Sequence, residues 1–135
     1  MAEEKNFENR VKQFLKEQGC FFVKYWGGGR FTQDGVPDLL ICCSGYFIAV
    51  ELKATKGRPS ELQIVKLKQI TDAGGIGFLL YPQQFEDFKQ FIKDCAEGVD
   101  PYDMIRWGRA DPMILNWWNK AKELRGEDNG NEESD

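Results

Sequence analysis

The chain has 135 residues, 41% of them hydrophobic and 30% charged, and a formal net charge of −4. This length suits one domain with a real hydrophobic core, and no apolar run approaches the ~20 residues of a membrane span or opens the chain as a signal peptide. It has no histidine, and its four cysteines show no Cys-x-x-Cys spacing, which argues against a zinc site and against histidine acid–base chemistry. Three of these cysteines lie in or beside predicted strands, so we expect buried thiols and a cytoplasmic protein.

The negative charge is concentrated at the C-terminus. Residues 126–135 hold five of the 22 acidic residues and no basic residue, which leaves 17 acids against 18 bases in the rest of the chain. That balance permits nucleic acid as a partner without requiring it. We expect the acidic tail to be disordered and to limit nonspecific binding to nucleic acid.

Residues 5–18 form a predicted amphipathic helix, because apolar side chains recur at helical spacing from Phe7 to Leu15. Glu8 lies about 20° around this helix from Leu15 and therefore at the border of the buried stripe. An acid near a helix N-terminus is also favoured by the helix dipole, which is a sufficient reason for its presence.

Residues 20–26 are rich in aromatic and β-branched side chains and predict the first strand. Three glycines follow, and then Arg30 and Phe31. This segment is either a simple connector or a flap in which Arg30 contacts phosphate and Phe31 or Trp26 stacks on a base. The Lys-Ser/Thr ending of a P-loop is missing.

Two apolar runs of strand composition, residues 39–43 and 46–50, are joined by Ser44-Gly45. A small polar residue followed by glycine is a usable two-residue hairpin turn. Pairing outward from that turn places Asp38 directly opposite Glu51.

The end of this hairpin carries two acids and a base. Lys53 lies two residues after Glu51 and points to the same face of the sheet. The opposed carboxylates of Asp38 and Glu51 repel each other and lose hydration, and a single ammonium cannot offset both. This cost falls if a divalent cation binds between them, where the carboxylate oxygens and the carbonyl of Leu52 are the hard oxygen ligands that Mg²⁺ prefers. The alternative is a chance surface salt-bridge cluster.

The turn at residues 55–59 places Lys56 and Arg58 on a basic rim, and Ser60 begins the next helix. The sequence S-E-L-Q fits a capping box, in which the amide of Gln63 returns to the Ser60 backbone. Gln63 also shares a helix face with Leu67 and so points toward the sheet. The side chain of Gln63 can therefore either cap the helix or reach into the predicted site. These two roles compete for one amide, and we favour the role in the site.

The rest of the chain predicts a buried strand at residues 76–81 and a helix from Pro82 with one apolar stripe. Residues 99–109 are expected to be irregular, and Asp111-Pro112 begins a helix that runs to about residue 125. Adjacent Trp117 and Trp118 cannot face the same way. Either one packs on the core while the other meets a partner or DNA, or both cover the domain edge.

The ordered set G-V-P-D, E-L-K and S-E-L-Q within residues 35–63 resembles the PD-(D/E)xK nuclease superfamily. Its motifs are similar to those of small phage and bacterial VRR-NUC-type nucleases, with RecU- and Hjc-like Holliday junction resolvases as neighbours. The resemblance covers about residues 7–81. It implies an α/β, restriction-endonuclease-like core of order α-β-β-β-α-β, with a mixed sheet flanked by helices and followed by C-terminal helices. We expect the nuclease core at 1–98, a helical extension at 99–125 and the acidic tail at 126–135.

The resemblance implies an endonuclease, dependent on Mg²⁺ or Mn²⁺, that hydrolyses DNA phosphodiester bonds as a homodimer on branched DNA, most naturally a Holliday junction. The catalytic residues it implies are Asp38, Glu51, Lys53 and Gln63. The metal ligands are Glu8, Asp38, Glu51 and Leu52, and the nucleic-acid contacts are Lys24, Arg30, Phe31, Lys56 and Arg58. The alternatives are a flap, nicking or restriction-type nuclease with the same site, and a noncatalytic nucleic-acid-binding or regulatory protein on this scaffold.

Overall fold

A computed structural model describes residues 2–30 and 32–124. The strands are β1 (Phe21–Lys24), β2 (Leu39–Cys43), β3 (Tyr46–Leu52) and β4 (Ile76–Leu80). The helices are α1 (Ala2–Glu17), α2 (Glu61–Asp72), α3 (Phe85–Ala96), α4 (Pro101–Arg106) and α5 (Asp111–Leu124), with a 3₁₀ turn at Pro82–Gln84. None of the helices in the described ranges is long and apolar enough to cross a membrane.

The four strands form one mixed sheet in the order β1-β2-β3-β4. The two hairpin pairings are antiparallel, and β3 pairs with β4 in parallel. Helix α2 makes the crossover that a parallel pair requires. The chain order α1-β1-β2-β3-α2-β4, with helices after it, confirms the predicted restriction-endonuclease-like α/β fold.

The β2–β3 hairpin has the predicted turn and register. Cys43 pairs with Tyr46 across Ser44-Gly45. Both turn residues have positive φ, 52° at Ser44 and 87° at Gly45, which is the type I′ combination that matches the twist of the flanking strands. The pairing that this turn sets ends at Leu39 opposite Val50, so the next residues outward are the two acids of the predicted site.

Helices pack against both faces of the sheet. On one face, Phe7 and Leu15 of α1 and Phe88 of α3 belong to the same buried cluster as Ile41 and Phe78. This layer fixes the position of α1 against the sheet. It thereby also fixes the polar side chains at the edge of the buried face of α1.

On the other face, Leu67 of α2 and Trp117 of α5 pack with Leu79 of β4. The buried indole N–H of Trp117 donates to the carbonyl of Gly77 at 3.2 Å. Trp118 is half-buried, and the centroids of the two indole rings are 5.4 Å apart. The ammonium group of Lys68 lies 5.1 Å from the ring centroid of Trp118. Trp117 therefore packs on the core and Trp118 covers its edge in part, and a contact of Trp118 with a partner or DNA stays a prediction.

The expectation that residues 99–109 are irregular was wrong, because six of them form α4. The side chain of Asp100 accepts a hydrogen bond from the Tyr102 N–H at 2.8 Å, and Pro101 occupies the first helical position. The Asp-Pro pair is therefore a helix start rather than a turn.

The expectation of buried thiols holds only in part. Cys43 is buried, whereas Cys42 is exposed, because alternation along β2 turns it to the opposite face. On that face it pairs with two exposed aromatic residues, Phe21 and Phe47. The predictions made for Phe31 and for the acidic tail at residues 126–135 lie outside the described residues.

Candidate active site

Asp38 is held by hydrogen bonds to both neighbouring strands. Its carbonyl accepts from the Tyr25 N–H just after β1 at 2.8 Å. Its Oδ2 accepts from the Leu52 N–H at the end of β3, also at 2.8 Å. The backbone of Asp38 is therefore tied to the β1 side and its carboxylate is oriented by the Leu52 N–H, which is the kind of support that keeps a reacting group in place.

Glu51 lies opposite Asp38 and is only 2% exposed. Its Oε2 is 3.5 Å from Lys53 Nζ, but its Oε1 is buried with no hydrogen-bond partner in the described structure. Burial raises the pKa of Glu51 to about 8, and the Asp38 charge acts in the same direction, against the lowering effect of Lys53. A buried acceptor without a donor is costly. The orphaned oxygen therefore marks a position where a proton or a cation would be stabilising.

Lys53 extends from the end of β3 into the same site. Its backbone N–H donates to the Leu80 carbonyl at 3.1 Å, which continues the β3–β4 pairing past Leu52. The ammonium group therefore sits on a rigid strand end beside Glu51, as the alternation along the strand predicts.

Glu8 of α1 is linked to Asp38 by Lys24, which contacts both carboxylates. Lys24 Nζ lies 3.0 Å from Glu8 Oε1 and 3.2 Å from Asp38 Oδ1, and Lys12 binds the other Glu8 oxygen at 3.0 Å. Burial acts to raise the pKa of Glu8, but the hydrogen bonds and charges of these two lysines outweigh it, and the pKa is lowered. For Lys24, burial acts to lower the pKa, but Glu8 and Asp38 raise it overall. Both groups are therefore charged at neutral pH.

The predicted set of three carboxylate ligands is not assembled in this arrangement. Among the residues that the structure describes, no three acidic, cysteine or histidine side chains could hold one metal ion. The reason is that Lys24 lies between Glu8 and Asp38, so Glu8 is neutralised by lysines. The role of Glu8 as an additional ligand of the metal or of a metal-bound water therefore stays a prediction.

Asp38 and Glu51 by themselves still fit a hard divalent cation. They supply two opposed carboxylates, one with an unpartnered buried oxygen, and the Leu52 carbonyl follows Glu51 directly. Mg²⁺ is commonly bound by only one or two carboxylates while it keeps several waters. The donor chemistry thus suits Mg²⁺ or Mn²⁺ without Glu8.

Gln63 forms the capping box. Its Oε1 accepts from the Ser60 N–H at 2.8 Å, and the Ser60 Oγ accepts from the Gln63 N–H at 3.1 Å. The box uses the amide oxygen and leaves the two N–H donors of the amide outside it. The capping role is thus observed, and a role for Gln63 in the chemistry stays a prediction.

The residues expected to contact nucleic acid fall into two groups. Lys56 and Arg58 are exposed in the turn after β3 and line a polar recess, and Arg30 is exposed in the glycine-rich loop. Lys24 instead points to the side of the sheet that α1 covers, where it binds Glu8 and Asp38. Its observed contacts are therefore with the acids of the site.

The contacts of three lysines with Glu8 were not predicted from the sequence. Lys5 and Lys12 stand three residues before and four residues after Glu8 on α1, and both contact its Oε2. That spacing is the normal one for helical ion pairs and could have indicated them. The third partner, Lys24, depends on how α1 packs against β1, which no local pattern shows.

A family model described as archaeal Holliday junction resolvase (hjc) matches residues 2–76, which is more than half of the chain. The matched region runs from α1 through α2 to the start of β4 and contains all the predicted catalytic and metal-binding residues. No curated protein matches the chain. The family match confirms the predicted resemblance to Hjc-like resolvases, whereas the VRR-NUC branch and a phage or bacterial origin stay predictions.

Proposed function

We propose, from the premise that this chain belongs to the archaeal Holliday junction resolvase (hjc) family, that it cuts branched DNA by metal-dependent hydrolysis of phosphodiester bonds. Membership makes it a nuclease of the resolvase type. The single observation that supports the metal-dependent mechanism is Glu51, a buried carboxyl opposite Asp38 whose Oε1 has no partner in the described structure.

Asp38 and Glu51, together with the carbonyl of Leu52, would hold Mg²⁺ or Mn²⁺. When bound there, the ion would lower the pKa of a water and neutralise charge on the scissile phosphate. Asp38 is already oriented for this role by the Leu52 N–H. Lys24 keeps Asp38 and Glu8 in their positions and balances part of their charge.

Lys53 would act on the reacting groups directly. Its ammonium is largely buried beside Glu51, where a positive charge interacts more strongly with an anion than it does in water. Held on a strand end, it can orient the attacking water or stabilise the extra negative charge of the pentacovalent transition state. The amide N–H groups of Gln63, which the capping box does not use, would position the water or a phosphate oxygen.

The DNA would lie across the basic rim next to this site. Lys56, Arg58 and Arg30 are exposed, and contacts of this kind position phosphates without reading sequence. They would place a strand with its phosphodiester over the two carboxylates.

We further propose that the protein acts as a homodimer, because a four-way junction has two-fold symmetry and its resolution requires two cuts. The exposed Phe21, Val23 and Phe47 form an uncovered apolar part of the sheet on β1 and β3. A second copy is the occupant that the symmetry of the substrate favours, and such an isologous contact would bring two sites to one junction.

Cleavage of end-labelled DNA tests the proposal. A four-way junction, a flap and a linear duplex of matched sequence are incubated with Mg²⁺, Mn²⁺ or EDTA. We expect paired nicks at symmetric positions near the branch, only with a divalent metal, and their loss in Lys53→Ala but not in Lys16→Ala on the outer side of α1. Equal cutting of the linear duplex would favour a restriction-type enzyme. Tight, metal-independent binding without any cut would favour the noncatalytic alternative.

A further inference from the structure

Trp26, the second residue after β1, has an exposed side chain beside the site. It is 69% exposed, although indole is among the largest apolar groups a protein can bury. Two ammonium groups lie against it, Lys24 Nζ at 5.4 Å and Lys5 Nζ at 5.9 Å from the ring centroid. The ring is therefore positioned by cations and not by a hydrophobic core.

The same two lysines connect the ring to the acids. Lys24 Nζ is 3.2 Å from Asp38 and 3.0 Å from Glu8, and Lys5 Nζ is 3.5 Å from Glu8. A single lysine side chain thus separates the indole from Asp38. The exposed aromatic face therefore lies close to the carboxylate that would hold the metal.

A covering role does not explain this position, because a ring that covered the core would itself be largely buried. An exposed indole held beside the site provides the aromatic face on which nucleic-acid-binding proteins stack a base. The two lysines hold the ring while they stay paired with the acids.

We propose that Trp26 stacks on an unstacked nucleobase next to the scissile phosphodiester, and that this contact favours branched DNA over continuous duplex. In a continuous duplex each base is covered on both faces by its neighbours, so stacking on the protein first requires unstacking. At a branch point a base loses a neighbour and its face becomes available. This inference rests on the proposed nuclease function and adds a determinant of substrate choice to that site.

The test compares Trp26→Ala and Trp26→Phe with a matched control, Trp107→Ala. Trp107 is 60% exposed and has the Arg109 guanidinium 5.2 Å from its ring. It follows α4, whose Tyr102 contacts Tyr46 at the opposite end of β3 from the site. It therefore reproduces the exposure and the cation contact of Trp26 far from the two carboxylates.

Dissociation constants are measured in EDTA for a four-way junction and for a linear duplex of the same sequence. Trp26→Ala should weaken junction binding by about 5- to 150-fold, the range expected for loss of one base–aromatic stack, and leave duplex binding unchanged. Trp26→Phe should keep most of the affinity, and Trp107→Ala should bind both DNAs like the wild type. A 2-aminopurine at the branch should be quenched by the wild type and not by Trp26→Ala.

Thermal unfolding of each variant shows whether the fold is intact, and Trp26→Leu keeps the apolar bulk without the aromatic face. Unchanged junction binding by Trp26→Ala, or an equal loss on both DNAs, would overturn the stacking role. If the wild type cuts the junction and Trp26→Ala cuts it equally well, only this inference fails. If the wild type neither binds nor cuts the junction, the proposed function fails with it.

Discussion

Asp38 and Glu51 face each other at the open end of the β2–β3 hairpin. Glu51 Oε2 lies 3.5 Å from Lys53 Nζ, and its Oε1 is buried with no hydrogen-bond partner among the described residues. Burial raises the pKa of Glu51 to about 8, with Asp38 acting in the same direction. Carboxyl groups whose pKa is raised by burial and a neighbouring charge are common at functional sites. Here the raised pKa indicates a position that favours a bound proton or cation. The consequences are measurable without any DNA.

The first prediction concerns the stability of the metal-free protein. In the unfolded chain Glu51 ionises near pH 4.5, whereas in the fold its pKa is about 8. Between these values the folded state binds more protons, so stability falls as the pH rises and levels off above pH 8. Glu51→Gln removes this loss and should be more stable than the wild type in EDTA at pH 8 by about 2–4 kcal/mol, with little difference at pH 4.

Calorimetric unfolding at several pH values measures this difference, with Glu123→Gln on the exposed side of α5 as the control. Added Mn²⁺ should raise the unfolding temperature of the wild type at pH 8, because it binds the folded state, and should not raise that of Glu51→Gln. A wild-type stability that does not change between pH 5 and 8 would contradict the buried, protonated Glu51.

The second prediction concerns Lys24. Its ammonium contacts Glu8 and Asp38, so Lys24→Met leaves Glu8 buried with less positive charge around it. We expect a loss of about 1–3 kcal/mol at pH 7. The pKa of Glu8 is lowered in the fold, so this contribution is present above about pH 4.5 and is lost as the pH falls through the lowered value. Urea unfolding at pH 7 and pH 3 measures it against Lys16→Met, and equal losses at both pH values would argue against the ion pair.

The third prediction separates the two roles of Gln63. Glutamate at this position keeps an acceptor for the Ser60 N–H and so keeps the capping box, but it removes the amide donors. Gln63→Glu should therefore unfold like the wild type and cut DNA more slowly. Ser60→Ala should lose about 0.5–2 kcal/mol of stability and cut normally. Normal cutting by Gln63→Glu would leave capping as the only role of this residue.

The fourth prediction concerns the turn that sets the register. Ser44 has φ of 52°, a left-handed conformation that is unfavourable for serine and favourable for asparagine. Ser44→Asn should stabilise the protein by about 0.5–1 kcal/mol without altering the site. Chemical denaturation measures the gain, and a destabilised Ser44→Asn would indicate that the turn is not type I′.

The hairpin and its two acids could be predicted from the sequence because their geometry is local. Ser44-Gly45 sets the turn, and strand alternation then places Asp38, Glu51 and Lys53. The position of Lys24 could not be predicted in the same way, since it depends on the packing of α1 over β1. Helix α4 was missed although its start signal, Asp100-Pro101, is in the sequence, because the same residue types are common in turns.

The most direct test of the central claim is single-turnover cleavage of a four-way junction by the wild type and by Glu51→Gln across a Mn²⁺ titration. We predict paired nicks from the wild type at a rate that saturates with Mn²⁺, and a rate at least ~100-fold lower from a folded Glu51→Gln protein. Equal rates from the two proteins would contradict a catalytic centre built on Asp38 and Glu51.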